Sequence, residues 1–272
     1  MTPMLIPEQL EKAQGFIYKN GRLLERKLFE YFFENGSKQA CLKALSAYQN
    51  EDGGFGNGIE PDLSCPDSTA IGAETAMYVL DLLECYNTEP ANRLVDWIIT
   101  HQNAEGFIPH PPENFFHYPY QSWWKNPDKE RILSLAGMMR KWGLDQPDFF
   151  EKARNCYLNL PFPADLEFYS YPFFIYLKYC SSNDLERAQF SGIVEKIPAF
   201  LSKYSNHYPL FSRGWFLARE YVAKNILDRE VAIFINALRD DGGIVTPYPD
   251  FPWWDPIFLL DGLIQLQSWK NR

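Results

Sequence analysis

The 272-residue sequence contains no apolar run approaching the roughly 18 residues that a membrane-spanning helix requires, so no integral membrane segment is expected. Positive charge is scarce. Lys and Arg total 26 against 35 Asp and Glu, and the net charge of -9 repels nucleic-acid phosphates and anionic lipid surfaces. Nucleic acid is therefore excluded as an expected partner. The cysteines Cys41, Cys65, Cys85, Cys156 and Cys180 are odd in number, scattered and without a C-x-x-C, which argues against a disulfide framework and for a reduced compartment. His101, His110, His117 and Cys65 show neither the helical i, i+4 pairing nor the spacing of a zinc site, so no metal is expected. The opening MTPMLIPEQLEKAQ lacks a basic stretch followed by an apolar run, and the expectation is a cytoplasmic protein. There is no Gly-x-Ser-x-Gly, phosphate loop or dinucleotide fingerprint, because Gly53, Gly54, Gly56 and Gly58 follow a helix rather than a strand. No cofactor is expected. The sequence carries no signal for an oligomeric state.

What is present in quantity is aromatic surface: 21 Phe, 16 Tyr and 8 Trp in a chain that is 46% hydrophobic, too many large rings for a disordered or coiled-coil class. Apolar residues recur at spacings of three and four, and alternation is rare. The spacing predicts helices over 7–18, 21–35, 37–48, 68–86, 91–102, 129–142, 147–159, 165–181, 184–204, 210–223, 226–239 and 255–270. Asn35 and Gly36 close one helix, Ser37 opens the next, Pro147 fits a first turn, and Asn183 or Asp184 starts another. Short connections imply antiparallel hairpins, about six of them. No linker or charge run divides the chain, so residues 1–272 read as a single domain.

Three connections share a composition: YQNEDGGFG (48–56), HQNAEGFIPH (101–110) and LRDDGGIVTPYP (238–249). Each ends a helix in polar residues, passes through Gly and returns to an apolar residue. A second echo joins PYQSWWKNPDKERILSLAGMMRKW (119–142) to PDFPWWDPIFLLDGLIQLQSW (249–269): Pro, a Trp pair, Pro near a helix start, then Leu and Gly within the helix. The unit is a loop plus a helix hairpin, repeated imperfectly.

The run Gln49, Asp52, Gly53, Gly54, Phe55, Gly56 resembles the Gln-rich, Gly-and-aromatic repeat of the terpenoid cyclase and protein prenyltransferase superfamily. Gln102, Gly106 and Phe107 match it partially; at 240–244 Asp241, Gly242 and Gly243 match, while Ile244 replaces the aromatic and no Gln leads in. The longer DGGFGNGIEPDLSCPDS is similar to small bacterial prenyltransferase-like proteins. The resemblance implies an all-α fold, an α/α toroid of about six hairpins, with the Gln side chain capping backbone ends. The acid motifs of that superfamily are missing: there is no Asp-x-Asp-Asp, Asp240 and Asp241 run into Gly242 rather than an Asp-Asp-x-x-Asp, and Asp62 lies near Cys65 without forming Asp-x-Cys.

The candidate catalytic residues are Glu60, Asp62 and Asp67, clustered beside Gly and Pro ahead of the helix at 68. One reading makes them a general acid with an ionised partner. The other has Asp67 or Ser68 capping the helix, with Glu60 and Asp62 bonded to loop amides. Glu74, on an otherwise apolar helix stretch, points into a cavity or lies on a solvated edge. The candidate ligand-binding residues are Trp123, Trp124, Trp253, Trp254, Asp255, Glu74 and His117. The Trp pairs suit stacking on sugars, isoprenoid chains or cations, or alternatively pack the loops onto helix ends. The leading expectation is a terpenoid-cyclase-like protein holding an apolar or isoprenoid small molecule in an aromatic-lined cavity. A carbohydrate-active enzyme built on Trp platforms and paired carboxylates is the alternative, and a non-catalytic scaffold that kept the fold is the third.

Overall fold

A computed structural model describes residues 6–270. All regular structure among them is helical. The eleven α-helices are α1 (Pro7–Asn20), α2 (Leu23–Phe33), α3 (Lys38–Ser46), α4 (Ala70–Leu82), α5 (Glu89–His101), α6 (Arg131–Lys141), α7 (Pro147–Asn159), α8 (Tyr171–Cys180), α9 (Asp184–Lys203), α10 (Lys224–Asn236) and α11 (Asp255–Lys270). None of the described helices is long and apolar enough to cross a membrane.

The punctuation works as the sequence suggests at several ends. Asn35 takes a left-handed φ of 60° after α2, and Gly36 donates its N–H back to the Glu30 carbonyl at 2.8 Å. The Ser37 hydroxyl accepts from the Ala40 amide at 3.1 Å, Asn183 accepts from Glu186 at 2.9 Å, and Pro147 opens α7.

Two predicted helices change. The stretch 165–181 becomes helical only at Tyr171, after a 3-10 turn at Phe168–Ser170. The stretch 210–223 is no α-helix: two 3-10 segments, Pro209–Phe211 and Phe216–Tyr221, replace it. Tyr208 adopts φ 48°, Pro209 has no N–H, and Trp215 is fully buried, with its indole N–H donating to the Phe168 carbonyl at 2.6 Å. Burying a large ring is favourable by about 2 to 3 kcal/mol, whereas helix propensities differ by tenths, so the ring decides the backbone.

The chain forms two compact units: Met1–Ala44 with Asp165–Phe168 and Ile193–Arg272, and Leu45–Ala164 with Tyr169–Gly192. In the second unit α4, α6 and α8 pack on one another and are buried over most of their lengths, which is why their apolar residues run around the helix instead of along one stripe. Gly137 sets the approach of α6 to α8; a Cβ there would lie 2.6 Å from the Ile175 carbonyl oxygen. In the first unit α1, α2 and α11 pack together, with Phe211 stacked on Phe234.

The three glycine loops are one structure used three times. Asn50 donates to Gly54, Asn103 to Phe107 and Arg239 to Gly243 through backbone amides, each at 2.9 Å. Gly53, Gly106 and Gly242, at φ of 93°, 92° and 86°, donate back to Asn50, Asn103 and Arg239. A Cβ at these three glycines would collide with the carbonyls of Arg93 on α5, Lys152 on α7 and Lys12 on α1. Gln49 and Gln102 make equivalent bridges: each side-chain amide donates to the carbonyl of its own loop glycine and to a carbonyl near the start of the helix after next, Pro90 on α5 or Phe149 on α7. The register also corrects the sequence match. Phe107 takes the place of Gly54, and the buried Ile108 and Ile244 take that of Phe55.

Candidate functional site

In the second unit the loops that follow α3 and α5 are sewn together. Leu63 and Tyr120 form an antiparallel bridge, Ser64 donates to the Pro119 carbonyl at 2.9 Å, and Gln121 donates to the Asp62 carbonyl at 3.0 Å. Beneath them Leu63, Cys65, Ile71 and Phe115 form a small buried cluster against which Tyr120 and Trp124 pack. That miniature core explains the cost of so many Gly and Pro residues: backbone this irregular holds its shape only where its own side chains bury apolar area.

The same seam orders the polar groups. The Trp124 indole N–H donates to Asp62 Oδ1 at 2.8 Å, and the Thr75 hydroxyl on α4 donates to Glu60 Oε2 at 3.0 Å. His110 lies edge-on to Phe115 and Trp124, and its Nε2 meets the Trp124 carbonyl at 2.8 Å. A carbonyl only accepts, so that nitrogen carries the proton. Burial pushes the His110 pKa down and Arg131 adds to the effect, while the Trp124 carbonyl and Asp128 act the other way.

A buried ionic cluster sits where α4, α6 and α8 begin to pack. Arg131 donates to Glu74 at 2.5 Å and to Asp128 at 2.9 Å. Tyr171 donates its phenol to Glu74 at 2.7 Å, and Ser134 donates to the other oxygen of the same carboxylate. The Arg131 and Glu74 side chains are only 10% and 16% exposed. Burial drives the Tyr171 phenol well above its ordinary pKa, and the negative charge of Glu74 adds to this, so the ring is a neutral donor. The group offers a neutral phenol that keeps its proton, a fixed guanidinium and two carboxylates, and so an array of fixed hydrogen-bonding groups.

Of the residues singled out in the sequence, the structure brings Asp62 to Trp124 and places Glu60 on α4 through Thr75. Asp67 does not cap α4. Thr69 does so, its hydroxyl accepting from the Gly72 amide at 3.0 Å, while Asp67 accepts from the Asn114 side chain at 3.1 Å and Ser68 donates to Asp52. The cap lies one residue further on because the Thr69 amide is held by the Phe55 carbonyl. Glu74 lies neither in a greasy pocket nor on a wet edge but at the centre of the ionic cluster. His117 ends an exposed 3-10 turn. Trp123 is 44% exposed with Trp124 half-buried beside it.

Trp253, Trp254 and Asp255 belong to the first unit. Trp253 is 41% exposed and Trp254 half-buried. Asp255 is buried, accepting from Arg239 at 2.8 Å and from Thr246 at 3.1 Å. Sequence reasoning missed Arg131, Asp128, Ser134 and Tyr171. The Asp128 to Arg131 spacing of i, i+3 at a helix start was the available signal, but it does not distinguish a buried pair from a solvated one.

No protein-family model matches the chain, and no curated protein is similar to it.

Proposed function

We propose that the chain is a ligand-binding protein of the terpenoid-cyclase and prenyltransferase toroid type, and that its ligand is uncharged with apolar faces. The toroid reading is supported by the seating of the glycine loops. The first seats on α5, the second on α7 and the third on α1, each in the same way, as expected of a repeated loop-and-hairpin unit. The observation that carries the ligand class is the loop surface of the second unit. Phe116, Tyr118 and Trp123 stand 61%, 42% and 44% exposed in a unit whose buried groups include the carboxylates Glu60 and Asp62, bonded to Thr75 and Trp124, and Glu74 and Asp128, which share the Arg131 guanidinium. That excess of carboxylate repels a diphosphate head. One reading is an isoprenoid chain or alcohol. A neutral sugar is the second, favoured by the open exposure of the rings. Glu60 and Asp62 are the acid candidates for any turnover.

A thermal-shift screen with polyprenols, prenyl diphosphates and neutral oligosaccharides tests the proposal. An uncharged ligand at about 100 times its dissociation constant should stabilise the protein by about 2.7 kcal/mol, and Trp123→Ala should diminish the shift. Response to diphosphates alone, or to no uncharged compound, overturns it.

A further inference from the structure

The exposed first rings of the Trp pairs are the feature that the fold does not explain. Both occupy 3-10 turns, Ser122–Lys125 and Pro252–Trp254, placed shortly before α6 and α11. In both, the second Trp closes the turn with its backbone amide on the residue three before it: Trp124 to Gln121 and Trp254 to Phe251, each at 3.0 Å. In both, the second ring is half-buried and the first stands out, 44% exposed at Trp123 and 41% at Trp253. Each turn follows a glycine loop with the same hydrogen-bond register. One exposed indole is unremarkable for a surface. Two, each in a 3-10 turn between a glycine loop and the following long helix and each backed by a half-buried partner, repeat a presentation.

We infer that Trp123 and Trp253 are the stacking faces of two independent, repeat-related sites, one in each compact unit and each taking a pyranose ring of a neutral oligosaccharide. The inference rests on the proposed uncharged ligand and names its class. An indole offers a flat apolar face and an N–H at its edge, which match the C–H face and hydroxyls of a sugar ring. The rings are open to solvent, whereas an isoprenoid chain gains little unless enclosed on all sides. A repeated binding face suits a ligand whose own faces repeat. The net charge of -9 opposes sulfated or phosphorylated glycans. Phe251 packs against Trp253 at 5.5 Å between ring centroids.

The test is calorimetric titration of the full chain with neutral α- and β-linked glucose hexasaccharides, a sulfated hexasaccharide and a polyprenol, for wild type, Trp123→Ala, Trp253→Ala and the double variant. Circular dichroism and melting temperature without ligand confirm that each variant folds. The expected result is two sites per chain for a neutral hexasaccharide, one in each single variant and none in the double, with Trp123→Phe and Trp253→Phe retaining binding. A single site, or titration unchanged by Trp253→Ala, overturns the inference. Binding of polyprenol without any sugar overturns it while leaving the uncharged-ligand proposal standing. Binding of the sulfated sugar alone overturns both.

Discussion

The Glu74 carboxylate on α4 and the Arg131 guanidinium at the first residue of α6 meet at 2.5 Å, and the same carboxylate oxygen takes the Tyr171 phenol from the first residue of α8 at 2.7 Å. Three helices are thus tied at one point by charge rather than by apolar contact. Two nearly buried ions cost desolvation, which the pair offsets only while both members and their hydrogen bonds are present.

Arg131→Met should therefore destabilise the protein by about 3 to 5 kcal/mol, because Glu74 and Asp128 are left as uncompensated buried charges. Adding Glu74→Leu should recover part of that loss. Urea denaturation of the singles and the double measures the coupling; a double variant at the simple sum of the singles would show that the two residues do not act as a pair.

The loop bridges give a second, independent test. Gln49→Ala and Gln102→Ala each strand a loop-glycine carbonyl and a carbonyl near the start of α5 or α7, and each should cost about 1 to 3 kcal/mol. Leu238→Ala, at the equivalent position of the third loop, removes no hydrogen bond and should cost less than the others per buried atom removed. Equal losses at all three would mean that the glutamines contribute only packing.

What the sequence reveals about this fold is whatever is encoded locally. The helix end at Asn35 and Gly36 and the Ser37 cap depend on residues a few positions apart, and each is where the pattern put it. The segment 209–221 is decided instead by where Trp215 can be buried, which its neighbours in sequence do not report. The site divides along the same line. Asp62 and Trp124 were each legible as unusual residues in unusual loops, but their pairing joins positions 62 apart, and the Arg131 cluster joins α4, α6 and α8. Thr69 displaced Asp67 as the cap of α4 because a loop contact, the Phe55 carbonyl, fixes the helix start.

Stability should fall as pH drops from about 7 to about 5, with histidine as one cause. Burial lowers the pKa of both His110 and His207 below their ordinary 6.5. The folded protein therefore refuses a proton that the unfolded chain accepts, so their contribution is complete above 6.5 and is lost as pH falls toward the folded pKa. His110→Asn and His207→Asn should flatten this limb of the urea midpoint against pH. Unchanged slopes in the double variant would assign the decline to carboxylates.

The clamp between Asp62 and Trp124 separates a structural carboxylate from a chemical one. Asp62→Asn keeps an oxygen in place to accept the indole N–H, exchanging a charged acceptor for a neutral one, and should cost about 1 kcal/mol. Asp62→Ala removes the acceptor from a largely buried seam and should cost about 1 to 3 kcal/mol, and it should free Trp124 to move toward water. The second effect is visible as a red shift of tryptophan emission that disappears when Asp62→Ala is made in a Trp124→Phe background. If Asp62→Asn is as unstable as Asp62→Ala, the negative charge itself holds the loops. If Asp62→Asn keeps its melting temperature and its ligand response while Asp62→Ala loses both, Asp62 acts by positioning the Trp turn. Loss of turnover in Asp62→Asn with ligand binding and stability intact would instead make Asp62 the acid.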